Sequence, residues 1–163
     1  MILIIQTGGT IDKDYPKLTK GWAFEITDSA AERILRRVHP SFQYEVKGVL
    51  KKDSQDITDE DRDLIAEACI KSQYHKILVT HGTDTMIKTA SYLAKRVHDK
   101  IIVLTGAAKP ERFKDSDAEF NVGTAIGAME SLSSGVYIAM HGRVLPYEKT
   151  MRENSTGKFI EKT

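Results

Sequence analysis

Five short apolar runs, at residues 1–5, 46–50, 77–80, 101–104 and 136–140, alternate along the chain with stretches of helical period. Three of the runs are nearly continuous in apolar residues, as strands covered on both faces are. Between them, Ala30, Ala31, Ile34, Leu35 and Val38 form one helical stripe, and Leu64, Ile65, Ala68 and Cys69 a second. Met86, Ile87, Ala90, Leu93, Ala94 and Val97 form a third, and Val122, Ala125, Ile126 and Met129 a fourth. Thr58 (with Asp61), Asp84 and Asp117 stand where N-caps of these helices are expected.

Strands alternating with helices imply a mainly parallel sheet with helices on both faces. The expected architecture is a three-layer, doubly wound α/β fold of the flavodoxin or Rossmann type. At 163 residues the chain suits a single domain, residues 1–163. A domain of that length buries roughly 70% of the surface its unfolded chain exposes, so it needs no staples. After Met140 the pattern changes: residues 141–146 read as the start of a short hairpin or loop, and the last ten residues are polar.

Charge narrows the partners. The 24 Lys plus Arg nearly cancel the 23 Asp plus Glu, which leaves no electrostatic footprint for nucleic acid or an anionic membrane. No stretch approaches the ~20 apolar residues of a membrane span. The opening apolar run ends at Gln6 without a basic leader, unlike a secretory signal. A lone cysteine, Cys69, forms no internal disulfide, and no Cys/His cluster of zinc type is present. A cytoplasmic protein with no metal and no organic cofactor is expected.

In open α/β sheets ligands bind at the carboxyl ends of the strands. Two threonine-bearing segments fall there: Thr7-Gly8-Gly9-Thr10-Ile11 after the first run, and Thr80-His81-Gly82-Thr83-Asp84-Thr85-Met86 after the third. Gly8-Gly9 lets backbone approach a ligand closely and leaves amide N–H groups for an anion. A tight turn with Thr10 as a cap is the alternative. The segment is neither a phosphate loop, because no Gly-Lys-Ser/Thr follows, nor a dinucleotide fingerprint.

A hydroxyl beside glycines, with a second hydroxyl next to a carboxylate, suits a nucleophile and its activating set. Either Thr83 or Asp84 can equally serve as a helix cap, and His81 reads as a hydrogen-bonded packing residue. Asp53-Ser54-Gln55-Asp56 follows the second run and offers groups for a small polar ligand. Gly106-Ala107-Ala108-Lys109-Pro110 closes the fourth. Cys69, on an apolar stripe, reads as core.

These segments resemble the bacterial-type L-asparaginase/glutaminase family. Thr7-Gly8-Gly9-Thr10-Ile11 matches its nucleophile motif, and His81-Gly82-Thr83-Asp84-Thr85-Met86 its second motif. Asp53-Ser54-Gln55-Asp56 is similar to its substrate loop, Gly106-Ala107-Ala108-Lys109-Pro110 to its Gly-Ala-x-x-Pro, and Ser116–Val122 to a later family segment. The resemblance implies that Thr10 attacks the side-chain amide carbon of L-asparagine, releasing ammonia. The β-aspartyl enzyme so formed is then hydrolysed to L-aspartate.

By the same resemblance Thr83, Asp84 and a lysine, best matched by Lys149, form the second catalytic group, and Tyr15 is the lid tyrosine that assists Thr10. Asp84 pairs with the substrate's ammonium, Gly9, Ser54, Gln55 and Thr83 contribute to its binding, and the carbonyl of Ala107 accepts from the leaving nitrogen. Trp22 and Phe24 lie in the lid region. L-Glutamine is an alternative substrate, since one methylene is worth only ~1–3 kcal/mol of discrimination. By the resemblance, this chain is expected to be the family's N-terminal domain without its usual C-terminal one. A homo-oligomer, dimer or higher, is therefore expected, a neighbour helping to close the site. A non-catalytic module binding an amino acid or dicarboxylate is the competing reading, and an amidase acting on a macromolecule-borne amide a third.

Overall fold

The first apolar run becomes strand β1, Ile2–Gly8, buried along its whole length in the computed structural model, which describes residues 1–16 and 24–163. Short strands β2 (Lys13–Asp14) and β3 (Glu25–Ile26) pair antiparallel beside it and lead into helix α1, Ala30–Val38. Strand β4 (Tyr44–Lys52), helix α2 (Asp59–Lys71), strand β5 (Lys76–Thr80), helix α3 (Met86–Ala94), strand β6 (Ile101–Thr105), helix α4 (Ala118–Ala128) and strand β7 (Gly135–Met140) follow in strict alternation. Strand β8 (Arg143–Pro146) turns back against β7, and β9 (Thr150–Arg152) pairs with β10 (Phe159–Glu161) in a C-terminal hairpin.

The six-stranded sheet has the order β4-β1-β5-β6-β7-β8, parallel except for β8. Strand alternation divides its side chains between two cores. Leu3, Ile5, Ile77, Val79, Ile102 and Leu104 pack with α2 and α3 on one face. Ile2, Ile4, Leu78, Ile101 and Val103 pack with α1 and α4 on the other. The three-layer, doubly wound α/β fold expected from the apolar periodicity is the one observed.

Chain order explains where a site belongs. From β1 the chain moves outward to β4, then crosses back to β5 and continues to β6 and β7 in the opposite direction. The switch point therefore lies between the carboxyl ends of β1 and β5, where a crevice opens in such sheets. Both threonine motifs emerge there.

Several local expectations need correction. Thr58 and Asp61 do form a reciprocal capping box on α2. Asp84, however, caps nothing: Thr85 is the residue before α3, without a side-chain cap bond, and the Asp84 carboxylate is engaged elsewhere. Asp117 precedes α4 but turns its carboxylate to the amides of Ala108 and Lys109. Leu64 and Val38 lie on apolar stripes yet are exposed, because the buried arcs of α2 and α1 are narrower than the periodicity suggests.

Asp12, two residues beyond Thr10, is fully buried and anchors the N-terminus of α1 by accepting from the Ala30 amide (2.7 Å). It also accepts from Gln6 Nε2 (3.1 Å). Burial outweighs these bonds and pushes its carboxyl up to about 6. Because the folded value lies above the unfolded one, this group's contribution to stability is complete below pH ~4 and is lost as pH rises through about 6. The change is on the order of 3 kcal/mol. A carboxyl-carbon NMR titration should place the Asp12 midpoint near 6; a midpoint at or below ~4 contradicts this account.

Candidate active site

At the switch point a cleft of about 290 Å³ is lined by Thr10, Lys13, Asp53, Ser54, Gln55, Asp56, Gly82, Thr83 and Asp84. Three loops build it, one from each of β1, β4 and β5. The first leaves β1 through Gly8 (φ 106°) and Gly9 (φ 86°, ψ −178°), backbone angles open to glycine almost alone. The Gly9 amide donates to Lys52 O (3.0 Å) at the end of β4, and the turn delivers Thr10 to a short 3₁₀ turn, Thr10–Asp12.

Ser54 joins the second loop to the third. Its side chain is buried, and its Oγ accepts from the amides of Asp84 (3.1 Å) and Thr85 (3.3 Å). Thr85 Oγ1 donates back to Ser54 O (2.7 Å). Gly82 sits against this latch; a Cβ there would lie 2.8 Å from Ser54 Cβ. Apart from Thr80, which is fully buried in β5, the threonines of the two motifs divide by role. Thr7 and Thr85 spend their hydroxyls on the fold, Thr7 donating to Thr80 O (2.7 Å). Thr10 and Thr83 line the cleft, and neither hydroxyl bonds to any of the described residues.

Beneath Thr83 runs a buried relay that motif reading misses. Arg62, only 1% exposed, donates from Nε to Thr89 Oγ1 (3.0 Å). Thr89 in turn donates to His81 Nε2 (2.8 Å), and His81 Nδ1–H to Gly82 O (2.7 Å). We assign this tautomer because a carbonyl can only accept. Burial pulls His81 down to about 4, so the ring is neutral at physiological pH. His81 is the packing residue expected, and it has a consequence for the site. With Gly82 O turned inward, planarity of the trans peptide turns the Thr83 N–H to the opposite side.

Charge is paired across the cleft. Lys13 Nζ lies 3.0 Å from Asp53 Oδ1. Asp84 accepts from Arg152 Nη1 (2.5 Å) on one oxygen and from Gln55 Nε2 (2.8 Å) on the other. The Arg152 bond above all, with that from Gln55, holds the Asp84 carboxyl below its usual range, so it stays ionised.

Of the site residues expected from sequence, Thr10, Thr83, Asp84, Ser54 and Gln55 come together here, with Gly9 in the turn behind Thr10 and against Gly82. Three do not. Lys149 is exposed, in the turn that follows β8. Because β8 runs antiparallel to β7, it carries the chain away from the carboxyl edge. Tyr147 and Glu148 accordingly lie beside Lys100 and Gly135, where β6 and β7 begin. The cation that reaches Asp84 is Arg152, three residues on in β9. Tyr15 is 72% exposed, its ring edge-on to Phe24 (5.2 Å), outside the cleft lining. Phe24 lies between Tyr15 and Phe113, and Trp22 falls outside the described residues. Ala107 is buried in the core and does not line the cleft either. Lys13, which the motifs do not single out, is the only lysine among the described residues that does.

A family model for the N-terminal region of asparaginases matches residues 1–158. The chain belongs to the asparaginase family. Over 160 residues it is 29% identical to an L-asparaginase of Thermococcus kodakarensis, covering 96% of this chain and 48% of that protein. It is also similar to a glutamyl-tRNA(Gln) amidotransferase subunit of Methanococcus vannielii, 32% identical over 152 residues, which cover 88% of this chain and 34% of that one. In three dimensions it matches a thermostable L-asparaginase from Thermococcus kodakarensis with a TM-score of 0.83 and 28% identity. That match covers 98% of this chain and 50% of the other. This asparaginase-family chain therefore spans about half the length of these L-asparaginases and a third of the amidotransferase subunit.

No helix among the described residues is long and apolar enough to cross a membrane. No group of three or more His, Cys, Asp or Glu side chains able to hold a metal lies together among them.

Proposed function

We propose that the chain is an amidohydrolase that converts L-asparagine to L-aspartate and ammonia through an acyl-enzyme on Thr10. The observation that carries this is the pair of threonine hydroxyls, Thr10 and Thr83, left unbonded in one cleft beside an ionised Asp84. In this reading Asp84 receives the substrate's ammonium. The Thr10 oxygen attacks the side-chain amide carbon, the C–N bond breaks, and the nitrogen leaves as ammonia carrying the proton that Thr10 gave up. Water then cleaves the ester. Arg152 keeps its charge and moves no proton. The Thr83 amide, turned outward by the Gly82 carbonyl, is a donor for the developing oxyanion. Lone, buried Cys69 accords with a cytoplasmic setting, and the open cleft with closure by a second copy in a homo-oligomer.

One observation favours a second reading, a module that binds an amino acid or dicarboxylate without turnover. Asp84 is paired to an arginine, which cannot act as a base, and Lys149 lies elsewhere. Ammonia release from L-asparagine and from L-glutamine, with calorimetric binding of L-aspartate alongside, separates the two. We expect Thr10-dependent release. Binding of L-aspartate by a folded protein that releases no ammonia from either amide contradicts the enzyme and leaves the module.

A further inference from the structure

We infer that Arg152 is a ligand-binding residue, forming with Asp84 a charge pair that selects α-amino-acid zwitterions by taking their carboxylate. The inference rests on the reading of the cleft as an amino-acid site.

Arg152 is held in place by groups outside the cleft. Its backbone pairs with Phe159 in the C-terminal hairpin, its Nε donates to Gly157 O (3.1 Å), and its guanidinium carbon lies 5.9 Å from the centre of the Phe159 ring. The hairpin is tied down in turn: the Phe159 amide donates to His141 Nδ1 (3.2 Å), and the two rings stack. Nη1 meets Asp84 Oδ1, while Nη2 donates to none of the described residues. The side chain is 36% exposed, and Nη2, the fork nitrogen that neither Asp84 nor Gly157 engages, is left for a ligand beside the cleft carboxylate. The hydroxyl proton of Ser54, whose oxygen is engaged only as an acceptor, supplies a further donor on the same floor.

A planar, permanently charged fork fits a carboxylate in two parallel bonds, a geometry an ammonium cannot reproduce. Asp84 and Arg152 in contact present adjacent negative and positive ends. An α-amino acid presents the complementary pair, ammonium to Asp84 and carboxylate to Arg152, and so replaces their mutual bond with two new ones. An amine without the carboxylate has to compete with Arg152 for Asp84 and gains nothing in exchange. Most of the Arg152 contribution is already organised before binding, which keeps the ordering cost low.

Calorimetry on the full chain tests this with two probes: L-aspartate, and 3-aminopropanamide, which keeps the amine and side-chain amide of asparagine but lacks the α-carboxylate. Arg152→Gln should weaken L-aspartate by about tenfold or more. Arg152→Lys, which keeps charge but not the fork, should fall between it and the wild type. The 3-aminopropanamide affinity should stay level or rise in Arg152→Gln. Unchanged L-aspartate affinity in Arg152→Gln overturns the role of Arg152 and leaves the amidohydrolase reading standing. An equal loss for both probes also overturns it, because that is what a merely loosened hairpin would give. A wild-type chain that binds no L-aspartate overturns the amino-acid reading together with this inference.

Discussion

Replacing Thr10 by Ala is expected to reduce ammonia release from L-asparagine by at least about 1,000-fold while leaving the fold and L-aspartate binding intact. The two halves of this expectation have separate causes. Thr10 Oγ1 bonds to none of the described residues, and the side chain is only partly buried, so alanine removes no structural bond and leaves no core cavity. The groups proposed to hold a bound amino acid, Asp84, Gln55, Ser54 and Arg152, are untouched. What disappears is the atom proposed to form the ester. The other motif hydroxyls do not replace it: Thr7 is committed to Thr80 O, Thr85 to Ser54 O, Thr80 is fully buried within β5, and Thr83 stands on the loop after β5 rather than β1. Thr10→Ser retains a hydroxyl and should keep measurable turnover. A coupled ammonia assay at saturating asparagine checks the rates. Thr10→Ala at the wild-type rate would remove Thr10 from the chemistry.

Gly9→Ala should be strongly destabilising. Gly9 combines φ 86° with ψ −178°, a region essentially closed to residues bearing a Cβ. The added carbon would also lie 2.4 Å from Gly82 N and 2.5 Å from Gly82 Cα. Both are backbone atoms of the second motif, and Gly82 is itself pressed against Ser54, so the overlap has no flexible side chain to absorb it. Backbone strain of about 1–3 kcal/mol and overpacking of similar size give a loss on the order of 3 kcal/mol or more. For a chain of this length that lowers Tm by roughly 6–12 °C. The loop movement that relieves the clash also separates Thr10 from Thr83, so turnover should fall even below the melting range. Scanning calorimetry together with the ammonia assay checks both; an unchanged Tm would contradict the close packing of the two motifs.

The parallel sheet is legible in the sequence because buried parallel strands are written as unbroken apolar runs, and the two motifs are legible because glycine and threonine mark strand ends. Thr10, Thr83, Ser54, Gln55 and Asp84 can be read for that reason: each lies within a few residues of the end of β1, β4 or β5, and topology alone brings those ends together. Lys149 fails for the converse reason. Beyond Met140 the apolar signal gives no strand direction, and the reversal of β8 moves the position that reaches Asp84 from residue 149 to residue 152. The resemblance points to Tyr15, the only tyrosine before Tyr44, but the pairing of β2 with β3 and the contact with Phe24 set its ring apart from the cleft. Arg62 leaves no motif at all. A charged residue on an amphipathic helix reads as solvent-facing, and it takes its contacts with Thr89, Ile57 O and Asp59 to reveal why it is buried. Lys13 does carry a signal, since it follows Thr10 by one turn of 3₁₀ helix.

An ester between Thr10 and the acyl part of the substrate is the intermediate on which the proposed reaction turns. Intact-protein mass spectrometry after rapid acid quench in the presence of L-asparagine, followed by peptide mapping, tests it most directly. A transient gain of one aspartyl group is expected, localised to the peptide containing Thr10 and absent from Thr10→Ala. An adduct on Thr83 or another residue, or ammonia release with no adduct at any quench time, would contradict it.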